Sequence, residues 1–312
     1  MSPVPTSAAA AEPLADAPAP DVLCIGSVLW DVIGRSPSHL KLGSDVPGRI
    51  ARVPGGVAMN IAMTLRRFGL RPALLSSLGR DAEGNELEAE AARLGLDTRY
   101  LYRSDDLPTD VYMAIEGGNG LVAAIADAHS LEAAGPKILA PLHDGRLGDA
   151  AAPYPGTIAL DGNLTASLLA DIAADPAFAC ADLRIAPASP GKAERLLPLL
   201  QHPKAVLYVN LHEAGLLAHR SFDNAPEAAA GLVAQGARRV LVTDGARTAA
   251  EAEPGALRQA EPPPVLVTRI TGAGDTFMAA HLFAERRGET REAALQAALA
   301  AAAAFVSGGQ PS

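Results

Sequence analysis

From Val22 onward, short apolar runs that end in glycine or a polar residue alternate with segments whose apolar residues recur at helical spacing. That alternation restricts the chain to a mainly parallel sheet covered by helices on both faces. Val22-Leu23-Cys24-Ile25-Gly26 reads as a buried strand opening toward Asp31. Gly55-Gly56 introduces a helix from Val57 to Phe68, with Ile61, Leu65 and Phe68 at helical spacing, and a strand follows at Ala73 to Ser76. Asp81 is placed to cap a helix from Glu83 to Leu94 that Gly95 stops. Further strands are expected near 157 to 161, 183 to 186, 206 to 209, 239 to 243 and 265 to 268. Helices are expected near 164 to 174, 191 to 200, 225 to 236, 274 to 287 and 290 to 306. In such sheets ligands bind beyond the carboxyl ends of the strands.

One segment departs from the alternation. Val111 to Ile115 and Leu121 to Ile125 flank the turn Gly117-Gly118-Asn119-Gly120, which is a hairpin by its turn chemistry. With the Gly-, Pro- and Ser-rich excursion before Arg52, it predicts a small lid formed by segments at about 35–53 and 107–127, inserted in a domain spanning 21–308. The Ala/Pro-rich residues 1–20 read as a disordered tail without the basic start of a secretory signal, and 309–312 as a second tail.

A mean hydropathy of +0.14 and no apolar run long enough for a membrane helix predict a soluble, compact chain. The net charge of -9 lacks the basic footprint of a nucleic-acid binder. Cys24 and Cys180 lie far apart in apolar stretches, which predicts buried free thiols and a reducing cytoplasm. The lysines are Lys41, Lys137, Lys192 and Lys204, so none follows position 204, and phosphate charge in the last third must be met by arginine, backbone amides or a metal.

The strongest local signal lies in that last third. Thr271-Gly272-Ala273-Gly274-Asp275 opens an Ala-rich helix, so two glycines admit a ligand to backbone amides at a helix N-terminus, an anion hole. A carboxylate there would repel a resting anion, yet Asp275 suits a base that takes a proton from an attacking hydroxyl. A turn with an acid favouring the helix dipole is the plainer alternative. The sequence has neither G-x-G-x-x-G after its first strand nor G-x-x-x-x-G-K-[ST], which excludes the usual dinucleotide and P-loop sites. Asn210 and Glu213 stand past a strand end, one helical turn apart, either as oxygen ligands for a metal or as a helix cap with a solvated acid.

The Thr-Gly-Ala-Gly-Asp-Thr-Phe run, together with the early Pro54-Gly55-Gly56-x-Ala58-x-Asn60, resembles the ribokinase-type (PfkB) carbohydrate and nucleoside kinases. The resemblance extends over about residues 21–308 and takes in Gly79-Arg80-Asp81-x-x-Gly84, the lid hairpin, Asn210-x-x-Glu213 and Val242-Thr243-Asp244-Gly245. It implies a three-layer αβα sandwich with a mainly parallel central sheet and a small β lid. It also implies ATP as phosphoryl donor, Asp275 as catalytic base, an anion hole at Gly272, Ala273 and Gly274, and magnesium supported through water by Asn210 and Glu213. Asp31, Gly55, Gly56 and Asn60 match positions that hold the acceptor's hydroxyls, and Asp161 and Asn163 end a strand that can face the same cleft. Thr243, Gly245, Thr271 and Gly308 match the nucleotide side. Within the family, the run from Gly55 to Ala62 and Leu121 to Asp127 are most similar to pseudouridine kinases, which implies phosphorylation of a nucleoside 5′-hydroxyl; other nucleosides, sugars and sugar acids remain open.

Two positions depart from the family pattern. Arg269 and Ile270 stand where relatives have Asp-Thr, a place that helps bind potassium, and Asp244 replaces an apolar residue. Arg269 is expected either to stand in for the cation or to contact ATP phosphate, so a monovalent cation requirement is left open. A catalytically impaired nucleoside-binding protein on the same scaffold is the alternative of a different class. Related lids pair between subunits, which implies a homodimer.

Overall fold

The computed structural model describes residues 18–41, 43, 45–118, 120–269 and 271–309. Most of the expected tails, Asn119 of the hairpin turn and Ile270 lie outside the described residues. In the first half, β1 (Val22–Ile25), β2 (Leu29–Arg35) and β3 (Arg49–Gly55) precede helix α1 (Val57–Arg67), β4 (Pro72–Leu75) and β5 (Ser77–Gly79). Then come α2 (Ala82–Arg93), β6 (Tyr102–Ser104), β7 (Val111–Gly117), β8 (Gly120–Asp127) and α3 (His129–Ala134). The second half runs β9 (Thr157–Asp161), α4 (Ala166–Ala174), β10 (Asp182–Ala186), β11 (Ala205–Asn210), α5 (Leu211–Ala218), α6 (Ala225–Ala234) and β12 (Val240–Asp244). The hairpin β13 (Arg247–Glu253) and β14 (Ala256–Ala260) leads to the closing helices α7 (Ala273–Arg286) and α8 (Arg291–Val306).

The main sheet has the order β14-β13-β12-β11-β10-β9-β1-β4, parallel from β12 to β4 and antiparallel through the β13–β14 hairpin. Period-two alternation feeds two cores, one on each face. Leu23, Ile25, Leu160, Ile185 and Leu207 pack against the α3 to α6 side, whereas Val22, Cys24, Ala159 and Tyr208 pack against α1, α2, α7 and α8. This is the expected three-layer arrangement. A second sheet, β3-β2-β7-β8, stands apart as the lid. It starts earlier than the sequence suggests: residues 29–35 and 49–55 form a long antiparallel pair, and β2 also pairs with β7 in parallel.

Three local expectations are corrected. No strand forms at 265–268; Pro262, Pro263 and Pro264 remove backbone donors just before it, and Thr268 N instead bonds Val306 O at 2.8 Å. Residues 190–199 wind as a 3-10 helix interrupted by Pro198 rather than an α-helix. Cys180 is exposed, in the turn after Phe178, while Cys24 is buried. The expected caps do form, with Asp81 accepting from Gly84 N at 2.7 Å and Gly95 leaving α2 at φ 80°.

On the face bearing α7 and α8, a buried ionic network replaces part of the apolar core. Arg239 donates to Glu251 at 2.6 Å and to Glu285 at 2.5 Å, Arg184 reaches Glu285 and the Tyr208 hydroxyl, and that hydroxyl lies 2.9 Å from His281 Nδ1. Removing the central cation leaves the largely buried carboxylates of Glu251 and Glu285 without their main partner. Arg239→Met is therefore expected to lower unfolding free energy by about 3 kcal/mol in urea titration, and a loss below about 1 kcal/mol would show that the network contributes little.

Candidate active site

The first turn of α7 is shaped by Gly272, which caps the helix at φ 89° with no side chain. A β-carbon there would lie in the left-handed region and 3.0 Å from the Phe305 ring, so both the backbone and α8 demand glycine. The first helical bond runs from Thr276 N to Gly272 O at 3.0 Å. The amides of Ala273, Gly274 and Asp275 thus precede it and point off the helix end. Nothing lies within 4 Å of the place where a Gly274 side chain would be, which leaves this end open.

Asp275 meets the early motif directly. Asn60, inside α1 rather than at its cap, donates from Nδ2 to Asp275 Oδ2 at 2.9 Å, joining residues 215 positions apart. Burial pushes the Asp275 carboxyl up to about 7; the Asn60 bond opposes this, and the charges of Asp161, Asp31 and Glu213 add to it. The side chain keeps a partly accessible face but sits beneath enough protein for desolvation to dominate. The positive end of α7 acts the other way, favouring the carboxylate.

On the lid side, Asp31 on β2 is half-buried, and burial pushes it up to about 6. Gly55 admits it: a β-carbon at Gly55 would fall 2.1 Å from Asp31 Oδ2. Gly56, at φ 94°, comes as close to Ser27, whose carbonyl oxygen would be 2.4 Å from an added β-carbon. The close approach expected at these glycines is thus made by the protein's own Asp31 and Ser27.

Asp161 corrects the sequence expectation of a ligand contact. It is 0% exposed, and its carboxylate accepts from Ser27 N at 2.7 Å, Ser27 Oγ at 2.9 Å, Ala58 N at 3.2 Å and Asn163 N at 2.8 Å. Its carboxylate is engaged by the protein's own donors. Asn163 is committed at both ends, donating to Ser27 Oγ at 2.8 Å and accepting from Lys192 Nζ at 2.5 Å. Ser27 and Lys192 were not singled out by sequence reasoning; Ser27 directly after the strand-ending Gly26 was the available signal.

At the end of β11, Asn210 and Glu213 form a reciprocal capping box, Asn210 Oδ1 accepting from Glu213 N and Glu213 Oε2 from Asn210 N, both at 2.9 Å. The cap of that reading is present, but its acid is not solvated: Glu213 is buried. Burial pushes Glu213 up to about 7, against the opposing hydrogen bonds from the backbone and side chain of Asn210. A carboxylate whose charge acts on Asp275 fits a water-mediated magnesium ion better than Asn210, whose amide oxygen accepts from Glu213 N.

The nucleotide-side positions are more scattered. Thr243 is the penultimate residue of β12, and Gly245 turns the chain into β13 at φ 60°, where Asp244 is held by Arg247 Nη2 at 2.8 Å. Thr271 is exposed beside the α7 end. Gly308 follows α8 at φ 88°. Arg269 does not reach toward α7: it donates to Phe305 O at 2.8 Å and Gly309 O at 3.1 Å, with its guanidinium 3.7 Å from the centre of the Phe305 ring. Its charge sits on the carbonyls ending α8, where a cation is favoured.

A carboxyl that ionises near 3.8 when unfolded but about 7 when folded contributes most stability while neutral. That contribution is complete below the unfolded value and is lost as pH rises through about 7. Asp275→Asn, which keeps the shape without the charge, is expected to raise the melting temperature by roughly 2–4 °C near pH 8 and negligibly near pH 4. An unchanged melting temperature near pH 8 would contradict the raised ionisation.

A pseudouridine kinase of Arabidopsis thaliana is 32% identical over 100 residues, 32% of this chain and 26% of that protein. A pseudouridine kinase of Escherichia coli strain K12 is 39% identical over 75 residues, 24% of each. The chain thus aligns with about a quarter of the length of these relatives. Among solved structures, a carbohydrate kinase from Agrobacterium tumefaciens superposes with a TM-score of 0.74 at 27% identity, covering 91% of this chain and 89% of that one. The Arabidopsis thaliana ribokinase complexed with ribose and ATP has a TM-score of 0.74 at 22% identity, covering 92% and 93%, and so shares the ribokinase-like fold. The family model for pfkB carbohydrate kinases matches residues 19–312, and the chain belongs to that family.

Proposed function

We propose that the chain transfers the γ-phosphoryl group of ATP to a primary hydroxyl, and that its acceptor is a nucleoside phosphorylated at the 5′ position, pseudouridine above all. The observation that carries this reading is the Asn60–Asp275 contact at the open end of α7, which puts a carboxylate ionising near 7 beside the backbone amides of the helix start. The two pseudouridine kinases among the relatives support the choice of acceptor.

In this scheme ionised Asp275 takes the proton of the acceptor hydroxyl as its oxygen forms a bond to the γ-phosphorus. The bond from that phosphorus to the β,γ-bridging oxygen breaks, and ADP leaves with the electron pair. The amides of Gly272, Ala273 and Gly274 face the charge on the transferred group. Asp31 and Asn60 orient the acceptor, whose hydroxyls meet a carboxylate and an amide at hydrogen-bonding range. Glu213 would hold magnesium through water, and the ion, when bound, offsets phosphate charge. Thr243, Gly245, Thr271 and Gly308 line the nucleotide side of the same reading, and Arg269 takes no part in phosphate binding.

The lid supports a second copy of this chain as partner. Register places Ile50, Met113, Ile115 and Ile125 on one face of the lid sheet, with Ile50 80% and Ile125 70% exposed. Such a face is apolar enough to pair with its own copy. A free exposed thiol at Cys180 suits the reducing cytoplasm.

ADP release in the presence of magnesium and pseudouridine, with the product identified by mass, tests the reading, and ligand binding without turnover across nucleosides and sugars would sink it. Asp275→Asn is expected to cut kcat about 10³-fold while acceptor binding survives. Because Asp275 acts ionised, kcat/KM should fall as pH drops below about 7. Asn60→Ala removes a bond that lowers the Asp275 pKa, so that limb should move to higher pH; a profile flat from pH 5.5 to 8 would exclude Asp275 as the base.

A further inference from the structure

The residue least explained by the scheme so far is Lys192. It projects from the 3-10 segment Pro190–Leu199 that follows β10, on the carboxyl side of the sheet where Asp161 ends β9 and Asn163 lies in the turn after it. Its ammonium donates to Asn163 Oδ1 at 2.5 Å, and through Asn163 it joins Ser27 and buried Asp161, the same network that supports Gly56 and the start of α1. An ammonium has three donors; the described residues engage one of them. The side chain is half-buried, with Arg195 beside it tied to Glu132 of α3 and to the carbonyls of Asn163 and Leu164. The α3 end is in turn fixed to the base of the lid, where Asp110 accepts from Ser130 N and Leu131 N. Lys192 therefore stands where the lid base meets the strand ends, joined to the acceptor-side network through Asn163.

A partly desolvated ammonium with unengaged donors calls for an oxygen acceptor. We propose that Lys192 is a specificity residue that donates a hydrogen bond to an oxygen of the phosphoryl acceptor other than the hydroxyl that is phosphorylated, such as a carbonyl oxygen of a nucleobase. The inference rests on the kinase reading and adds to it a preference for acceptors that carry such an oxygen beyond their ribose hydroxyls. Asn163, held from the other side by Ser27, fixes the ammonium in place, so that the oxygen is selected by position as well as by charge.

The test compares pseudouridine with ribose in the wild type, Lys192→Met and Lys192→Arg. Lys192→Met should raise KM for pseudouridine at least about 10-fold, with KM for ATP and kcat/KM for ribose changed by less than about twofold, and Lys192→Arg should recover part of the loss. If Lys192 served only to hold Asn163, ribose and pseudouridine would suffer equally, and that result overturns the inference, as does an unchanged KM for pseudouridine. A wild type that turns over no nucleoside defeats the nucleoside reading alone; the Lys192 inference then predicts the same selective loss for a sugar acid against its parent sugar, and equal loss overturns it.

Discussion

Asp161 is the constraint on which the cleft depends. A wholly enclosed carboxylate must find donors or leave the charge without compensation, and this one gathers Ser27, Ala58 and Asn163 around it. Those bonds bind the turn after β1, the first turn of α1 and the end of β9 into one unit. Gly26 is required for the same reason, since a β-carbon there would fall 2.3 Å from the Asp161 carboxylate. With α1 fixed at its start, Asn60 on its next turn is carried to α7 and Asp275. A change at Asp161 would therefore reach the α7 site without either element moving alone.

The electrostatics follow from that scaffold. Asp31, Asp161 and Glu213 all disfavour charge on Asp275, and no lysine follows position 204 to oppose them. A lysine beside Asp275 would attract phosphate but would also hold the carboxyl well below neutrality. Backbone amides at a helix end attract the phosphoryl group with partial charges and leave the base able to ionise near neutral pH. Arg269, the nearest formal cation in sequence, is engaged by the carbonyls that end α8.

The sequence made the alternating architecture, the α7 motif and the Asp81 cap legible because each is written in local periodicity or in glycine placement. It could not show that Asn60 touches Asp275, since that contact depends on α1 packing against α7. The hairpin from Arg247 to Ala260 was missed because its alanine-rich, charged strands have little intrinsic strand character, and pairing along β12 decides their conformation. At 265–268 the opposite error arises: an apolar run suggested a strand, but the preceding prolines deny it a ladder. Asp161 and Asn163 looked like cleft residues because strand ends generally are, and the sequence could not show how far their neighbours engage them.

The central claim is that the folded structure holds Asp275 as a carboxyl ionising near neutrality at the open end of α7. It is tested most directly by a carbon-13 NMR titration of the aspartate side-chain carboxyls in the ligand-free protein, with the Asp275 signal assigned by its absence in Asp275→Asn. The account predicts a midpoint at about 7, and a midpoint near the ordinary 3.8 would contradict it.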